Sequence, residues 1–286
     1  MCGIVGYIGR RDATPVLIQG LKRLEYRGYD SFGIATVGSA IEVYKKMGRI
    51  SDGEAGVVGL HGCTGIGHTR WATHGEPSDI NAHPHTDCTE RIAVVHNGVI
   101  ENYSELKRQL QARGHTFRSE TDTEVIVHLI EERYDGDLLA AVNATLPLLE
   151  GSYAILAIAE DTQRIVAARD ASPLVLGVGD AEIFAASDMT PLLEYTERVI
   201  YLEDGDVADI TSDRLNIFHG GRKVERPVEL ISWCVEDTRK GGFAHYMLKE
   251  IFEQPQSFYE TIRAGIDDHV RQMVTEAGEI TLVACG

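Results

Sequence analysis

The sequence predicts a layered α+β domain, and three observations carry that prediction. Short apolar runs rich in β-branched residues fill the first 220 positions, as strands do. Gly, Asp and Asn punctuate them, and stretches with apolar residues at helical spacing are interleaved. Many strands with helix pairs packed on them bury their apolar faces as stacked layers.

The elements follow in order. GIVGYIG opens as a strand, and Thr14-Pro15 then offers an N-cap and N1 proline for a helix with Leu17, Leu21 and Leu24 on one face. FGIATVG, IEVYKKM, TGIGHTR and RIAVVHNG read as strands. Asn102 and Glu105 form a capping pair for a helix striped by Leu106 and Leu110 and closed by Gly114. Asp122 opens the helical stretch TEVIVHLIEERY, and DLLAAVNATLPLLEG follows. YAILAIAE, RIVAARD, PLVLGVG, EIFAAS and RVIYLEDGDVADI complete the strands, with Asp204-Gly205 predicting a hairpin inside the last. After Gly220 the texture changes. GRKVERPVELISWCVEDTRKGGF reads as a charged linker, HYMLKEIFEQPQSFYETIRAGI as helix around its proline, and EITLVACG as a buried strand. A buried strand needs neighbours, so the residues after the linker are expected to be the first pieces of a further domain.

Composition narrows the function. The 286 residues carry 44 acids against 27 bases, a net charge of −17, which argues against nucleic acid or an anionic membrane as partner. No run approaches the apolar length of a membrane helix, and no signal-peptide pattern is seen. The five cysteines (Cys2, Cys63, Cys88, Cys234 and Cys285) are scattered without a C-x-x-C pair. They predict neither a disulfide framework nor a four-cysteine zinc site, and they suit a reducing compartment, the cytoplasm.

The chemistry begins at MCGIVG. If Met1 is removed, Cys2 carries both a thiol and a free α-amine with a pKa of roughly 7.7–8.0, a nucleophile with its own base. Asn97-Gly98 ends an apolar strand, where an amide side chain and a backbone N–H can hold a developing oxyanion. Arg70 can grip a carboxylate in bidentate fashion, and Asp122 can pair an ammonium. These are the parts for cleaving an amino-acid amide. Each has a plainer reading: an inert terminal Cys, an Asn-Gly turn, an Asp helix cap, a stacked Arg70-Trp71 pair. The histidines His68, His74, His83, His85 and His96 raise a metal site, but no Cys or acid stands at helical ligand spacing among them, so none is expected.

Taken together, M-C-G-I-V-G, YRGYDS, HTRWATHG, NAHPH, HNGVIENY and SETDTE closely resemble the glutamine–fructose-6-phosphate aminotransferase family, within the class II (N-terminal-nucleophile) glutamine amidotransferases. The resemblance implies a four-layer αββα sandwich over residues 2–220, a linker over 221–244 and a truncated start of an α/β sugar isomerase domain over 245–286. It implies that Cys2 attacks the side-chain amide of L-glutamine, forming a thioester and releasing ammonia, with Asn97 and Gly98 as oxyanion hole. Arg70 and Asp122 then hold the α-carboxylate and α-ammonium, Thr73 and His74 complete the pocket, and Trp71 caps it. Arg27 and Gly28 lie in the YRG turn near the nucleophile. No cofactor and no metal is implied. The ammonia is destined for fructose 6-phosphate in the isomerase half, which would make the whole a homodimer. A free-standing glutaminase serving a separate subunit, a sister class II amidotransferase and a non-catalytic binding module remain as alternatives. One departure stands out: where the family has Asp-Ser-Ala-Gly, this chain has Asp30-Ser31-Phe32-Gly33.

Overall fold

The computed structural model describes residues 2–231, 242–243, 245–264, 268–278 and 281. The chain divides into two compact units, residues 1–235 and residues 236–286.

The first unit opens with β1 (Gly3–Ile8), α1 (Ala13–Leu24), β2 (Ser31–Val37), β3 (Ile41–Met47), the one-turn helix α2 (Ile50–Gly53) and β4 (Thr64–Arg70). β5 (His85–Thr86), β6 (Ile92–Ile100), α3 (Tyr103–Ala112), α4 (Glu124–Glu131) and α5 (Leu138–Thr145) follow. β7 (Gly151–Ala159), β8 (Ile165–Asp170), β9 (Val175–Val178), β10 (Ile183–Ala186) and β11 (Arg198–Tyr201) come next. β12 (Asp206–Ile210), β13 (Leu215–His219), β14 (Arg222–Val224) and β15 (Glu229–Leu230) close it.

Among the described residues these strands build two antiparallel sheets. One runs β15-β11-β9-β10-β1-β4-β2-β3 and the other β14-β13-β12-β8-β7-β6-β5. Successive side chains of a strand point to opposite faces, so each sheet buries two faces against different partners. Ile4, Ala35 and Ile66 of the first sheet meet Ala93, Leu156 and Ile165 of the second in a core between the sheets. Their chain neighbours turn the other way. Val5 and Ile34 pack with Leu17, Leu21 and Leu24 of α1. Val94 and Ile155 pack with Leu106, Leu110, Val125 and Leu129 of the helices on the far side. Three cores separate four layers, helix–sheet–sheet–helix, which is the αββα sandwich.

Three local expectations are corrected. Asp12, rather than Thr14, caps α1: its carboxylate accepts from the Thr14 N–H at 3.1 Å, while the Thr14 hydroxyl donates to the Leu60 carbonyl. Asn102 makes no side-chain cap to α3 and ties down the approach to β7 instead, bonding Leu148 O and Glu150 N. Asp204-Gly205 makes no hairpin, because β11 and β12 lie in different sheets. Its positive φ of 84° at Gly205 turns the chain from one sheet to the other, and the Asp204 carboxylate accepts from the Ala171 N–H at 2.9 Å.

The second unit contains α6 (Tyr246–Ala264), which passes through Pro255, and α7 (Asp268–Glu276). Met1, part of the expected linker (232–241 and 244), and the EITLVACG run apart from Thr281 lie outside the described residues.

Candidate active site

The strand register builds the site. β1 pairs with β4 so that Gly3 faces Thr69, which sets Cys2, one residue earlier, beside Arg70 and Trp71. The Trp71 N–H donates to Cys2 Sγ at 3.2 Å. Burial pushes the Cys2 thiol pKa up, outweighing the Trp71 N–H and the Arg70 charge that favour thiolate. A thiol held protonated at neutral pH needs a base to become a nucleophile.

The Trp71–Gly75 loop is tied down at its start. The Asp30 carboxylate accepts from the Ala72 N–H, and the Asp30 N–H donates to the Arg70 carbonyl at 2.7 Å. The Trp71 ring lies against Gly28, where a Cβ would come within 2.6 Å of Cε3. Gly28 also has φ of 114°, so two requirements meet at one glycine of the YRG turn. Arg70 is buried, and its Nη2 donates to the carbonyls of His74 and Gly75. Its Nη1 is buried with no hydrogen-bond partner, the nearest carboxylate oxygen being Asp30 Oδ1 at 3.8 Å.

The second sheet supplies the other wall. Asn97 and Gly98 sit within β6, where they pair with Ala154 and Tyr153 of β7. Asn97 Nδ2 approaches the Cys2 carbonyl at 3.4 Å, and its Oδ1 meets His68 Nε2 at 3.1 Å. Burial pushes the His68 pKa down to about 3, so its imidazole is neutral. With the proton on Nε2, His68 donates to Asn97 Oδ1 and turns the amide nitrogen toward Cys2. Gly98 has φ of 131°, and a Cβ there would lie 2.0 Å from the Ser152 carbonyl.

Asp122 completes the ring. It does not cap α4; its Oδ2 accepts from the Ile100 N–H at 2.8 Å, and its Oδ1 lies 3.8 Å from His74 Nδ1. His96 Nδ1 and the Thr123 hydroxyl, 2.9 Å apart, join the following residue to β6.

Cys2, Arg70, Trp71, Thr73, His74, Gly98 and Asp122 thus line one small cavity of about 10 Å³. Arg27 stands apart from it, facing the Ser187 carbonyl and Asp188. Phe32 points into the core, packing on Tyr44 with ring centroids 6.1 Å apart. A larger cleft of about 500 Å³ beside Lys45, Asp79 and Arg118 contains none of these groups. The positioning roles of His68 and Asp30 were not legible in the sequence, where His68 raised only a metal ligand and Asp30 stood only in the run that departs at Phe32.

A glutamine amidotransferase domain model matches residues 68–194, the segment holding β4, Asn97, Gly98 and Asp122. The chain carries a glutamine amidotransferase domain. It is 50% identical over 297 aligned positions to a glutamine–fructose-6-phosphate aminotransferase (isomerizing) of Thermus thermophilus, and 46% identical over 293 to one of Aquifex aeolicus. All of this chain aligns with 49% of the first relative and 50% of the second. The chain therefore spans about half the length of the curated relatives it matches. Among solved structures it resembles a glutamine phosphoribosylpyrophosphate amidotransferase from B. subtilis. That likeness has a TM-score of 0.68 at 26% identity and covers 76% of this chain and 49% of the other. The amidotransferase domain thus has the N-terminal-nucleophile sandwich. Among the described residues, no helix is long and apolar enough to cross a membrane.

Proposed function

We propose that residues 2–220 hydrolyse L-glutamine to glutamate and ammonia through a thioester on Cys2. The observation that carries this reading is that Arg70, whose buried Nη1 has no hydrogen-bond partner, lines the same small cavity as Cys2 and Asp122. A cation and an anion flanking a thiol match the carboxylate and ammonium of a free amino acid whose side chain reaches the sulfur.

In this reading removal of Met1 frees the Cys2 α-amine, which takes the thiol proton as Sγ attacks the glutamine amide carbon. Asn97 Nδ2 and the Gly98 N–H receive the charge on the carbonyl oxygen. The proton passes to the leaving nitrogen, ammonia departs, and water then cleaves the thioester to release glutamate and restore the thiol. The Trp71–Gly75 loop walls the cavity on one side. Thr73 and His74 ride on that loop, and Trp71 covers the entrance.

The identities near 50% to fructose-6-phosphate aminotransferases, against 26% to the phosphoribosylpyrophosphate enzyme, support fructose 6-phosphate as destination of the ammonia in the full-length protein. In that reading residues 221–244, whose first part pairs into the two sheets as β14 and β15, lead to a sugar isomerase domain beginning at 245, the assembly is a homodimer, and the enzyme works in the cytoplasm.

The test follows glutamate release by this chain while mass spectrometry follows its N-terminus. The expected result is hydrolysis of L-glutamine by protein lacking Met1 and none of N-acetylglutamine, because an unpaired buried charge costs several kcal/mol. Full activity from protein retaining Met1 would overturn the mechanism.

A further inference from the structure

Away from the cavity, the helical layer on the second sheet brings four potential metal ligands together. Cys88 lies on the connection from β5 to β6, His115 just beyond α3, and His128 and Glu131 stand one turn apart on α4. Cys88 Sγ, His115 Nδ1, His128 Nδ1 and a Glu131 carboxylate oxygen all lie within 4.8 Å of one another.

We propose that Cys88, His115, His128 and Glu131 form a structural zinc site. Zinc holds sulfur at about 2.3 Å and imidazole nitrogen at about 2.0–2.1 Å, which places S and N roughly 3.5 Å apart on a tetrahedron. Cys88 Sγ lies 3.6 Å from each of the two Nδ1 atoms. Glu131 Oε2 sits 3.0 Å from His115 Nδ1 and 2.9 Å from His128 Nδ1. Those separations are a few tenths of an ångström below a tetrahedral edge, and the remaining ones are at most 4.8 Å, so modest side-chain rotations bring the four donors around one centre.

The groups behind the ligands favour a metal as well. Ligating histidines commonly hand their other ring nitrogen to a carboxylate, which fixes the tautomer. Here His115 Nε2 faces Glu132 Oε1 at 3.3 Å, and His128 Nε2, buried and without a hydrogen-bond partner, has Glu124 Oε1 as a carboxylate neighbour at 3.7 Å. Both imidazoles therefore turn Nδ1 to the centre and Nε2 to an acid. The Cys88 N–H donates to Glu131 Oε2 at 3.2 Å, holding the fourth ligand in place. A thiolate with two imidazoles disfavours calcium and magnesium, and four protein donors fill a tetrahedron as structural zinc sites do. Such a site pins the β5–β6 connection and the end of α3 to α4.

The competing account is a metal-free ion cluster. Burial opposes charge on His128, yet the neighbouring Glu124 and Glu131 carboxylates prevail and raise its pKa. Metal titration separates the two. Chelator-treated chain is titrated with Zn²⁺ against a competing chelator, and with Co²⁺ as spectroscopic probe. We expect one equivalent bound, tetrahedral cobalt bands with a thiolate-to-cobalt charge-transfer band, and a Tm that rises with zinc. Cys88→Ser should abolish the charge-transfer band and the rise in Tm while keeping wild-type far-ultraviolet circular dichroism. Glu132→Gln should retain the bands and bind zinc about 10–100-fold more weakly. Zinc affinity unchanged by Cys88→Ser, or cobalt spectra lacking a sulfur band in the wild-type chain, would overturn the site.

Discussion

At the small cavity the first sheet contributes Cys2 and Arg70 from strand ends, whereas the second contributes Gly98 from inside β6, with Asn97 beside it reaching the Cys2 carbonyl. Cys2 precedes the first residue of β1, and Arg70 is the last of β4, so their backbones run into loops. Asn97 and Gly98 are paired on one side with β7, and Gly98 packs against Ser152 too closely for any Cβ. The difference follows from the proposed chemistry. A nucleophile must approach and leave a carbon, while oxyanion donors work best when they do not reorganise. A change at Cys2 should therefore cost activity alone, and changes on the second wall should also cost stability.

Cys2→Ser gives the largest effect on activity. Hydrolysis should fall to background with Tm little changed, since serine is close to cysteine in size and its hydroxyl can still accept from the Trp71 N–H. Asn97→Ala should lower kcat about 10²–10³-fold, the usual loss for one oxyanion donor, with a smaller change in KM. If instead Asn97→Ala raised KM and spared kcat, the amide would be a binding group and the contrast between the walls would fail. Gly98→Ala should lower Tm as well as activity. Its φ of 131° alone costs about 1–3 kcal/mol for a residue with a Cβ, before the Ser152 carbonyl moves aside. Unchanged melting of this variant would show that β6 and β7 yield more easily than their register suggests.

Much of this architecture was readable beforehand, for definite reasons. Strands such as TGIGHTR and RIAVVHNG announce themselves because both faces are buried, so β-branched and small residues run on without polar breaks. The pocket residues were legible because Cys, Arg, Trp and His are unusual in loops. What stayed hidden depends on pairing across distance. Asp204-Gly205 has hairpin chemistry, yet which sheet receives the next strand is decided by Val207, Ala208 and Ile210 packing with the second sheet. The His68–Asn97 bond joins residues 29 apart, on different sheets. The Cys88 cluster likewise spans three segments, and only His128 and Glu131 share a helix. Spacing rules see neither.

The smallest expected effect lies just behind the second wall, at Glu124. Its carboxylate accepts from the Arg118 and Ser119 N–H groups, each at 2.7 Å, and from the Ser119 hydroxyl at 2.6 Å. Those bonds shape the loop that delivers Asp122. Burial alone would raise the Glu124 pKa, but His128 and the loop donors reverse the sign and lower it to about 2. A carboxylate with a depressed folded pKa stabilises the protein fully above its unfolded value, roughly 4.3, and loses that contribution as pH falls toward the folded value. Glu124→Gln should therefore cost on the order of 1–2 kcal/mol at pH 6, less than the full shift implies because His128 shares the interaction. Lowering the pH from 5 to 3 should narrow the Tm gap between variant and wild type. Calorimetry across that range decides the point. A gap that stays constant would mean that Glu124 acts through shape rather than charge. Hydrolysis at pH 7 serves as the second readout, because a loosened 118–123 loop should raise KM for glutamine through Asp122 while leaving kcat, set by Cys2 and Asn97, close to wild type.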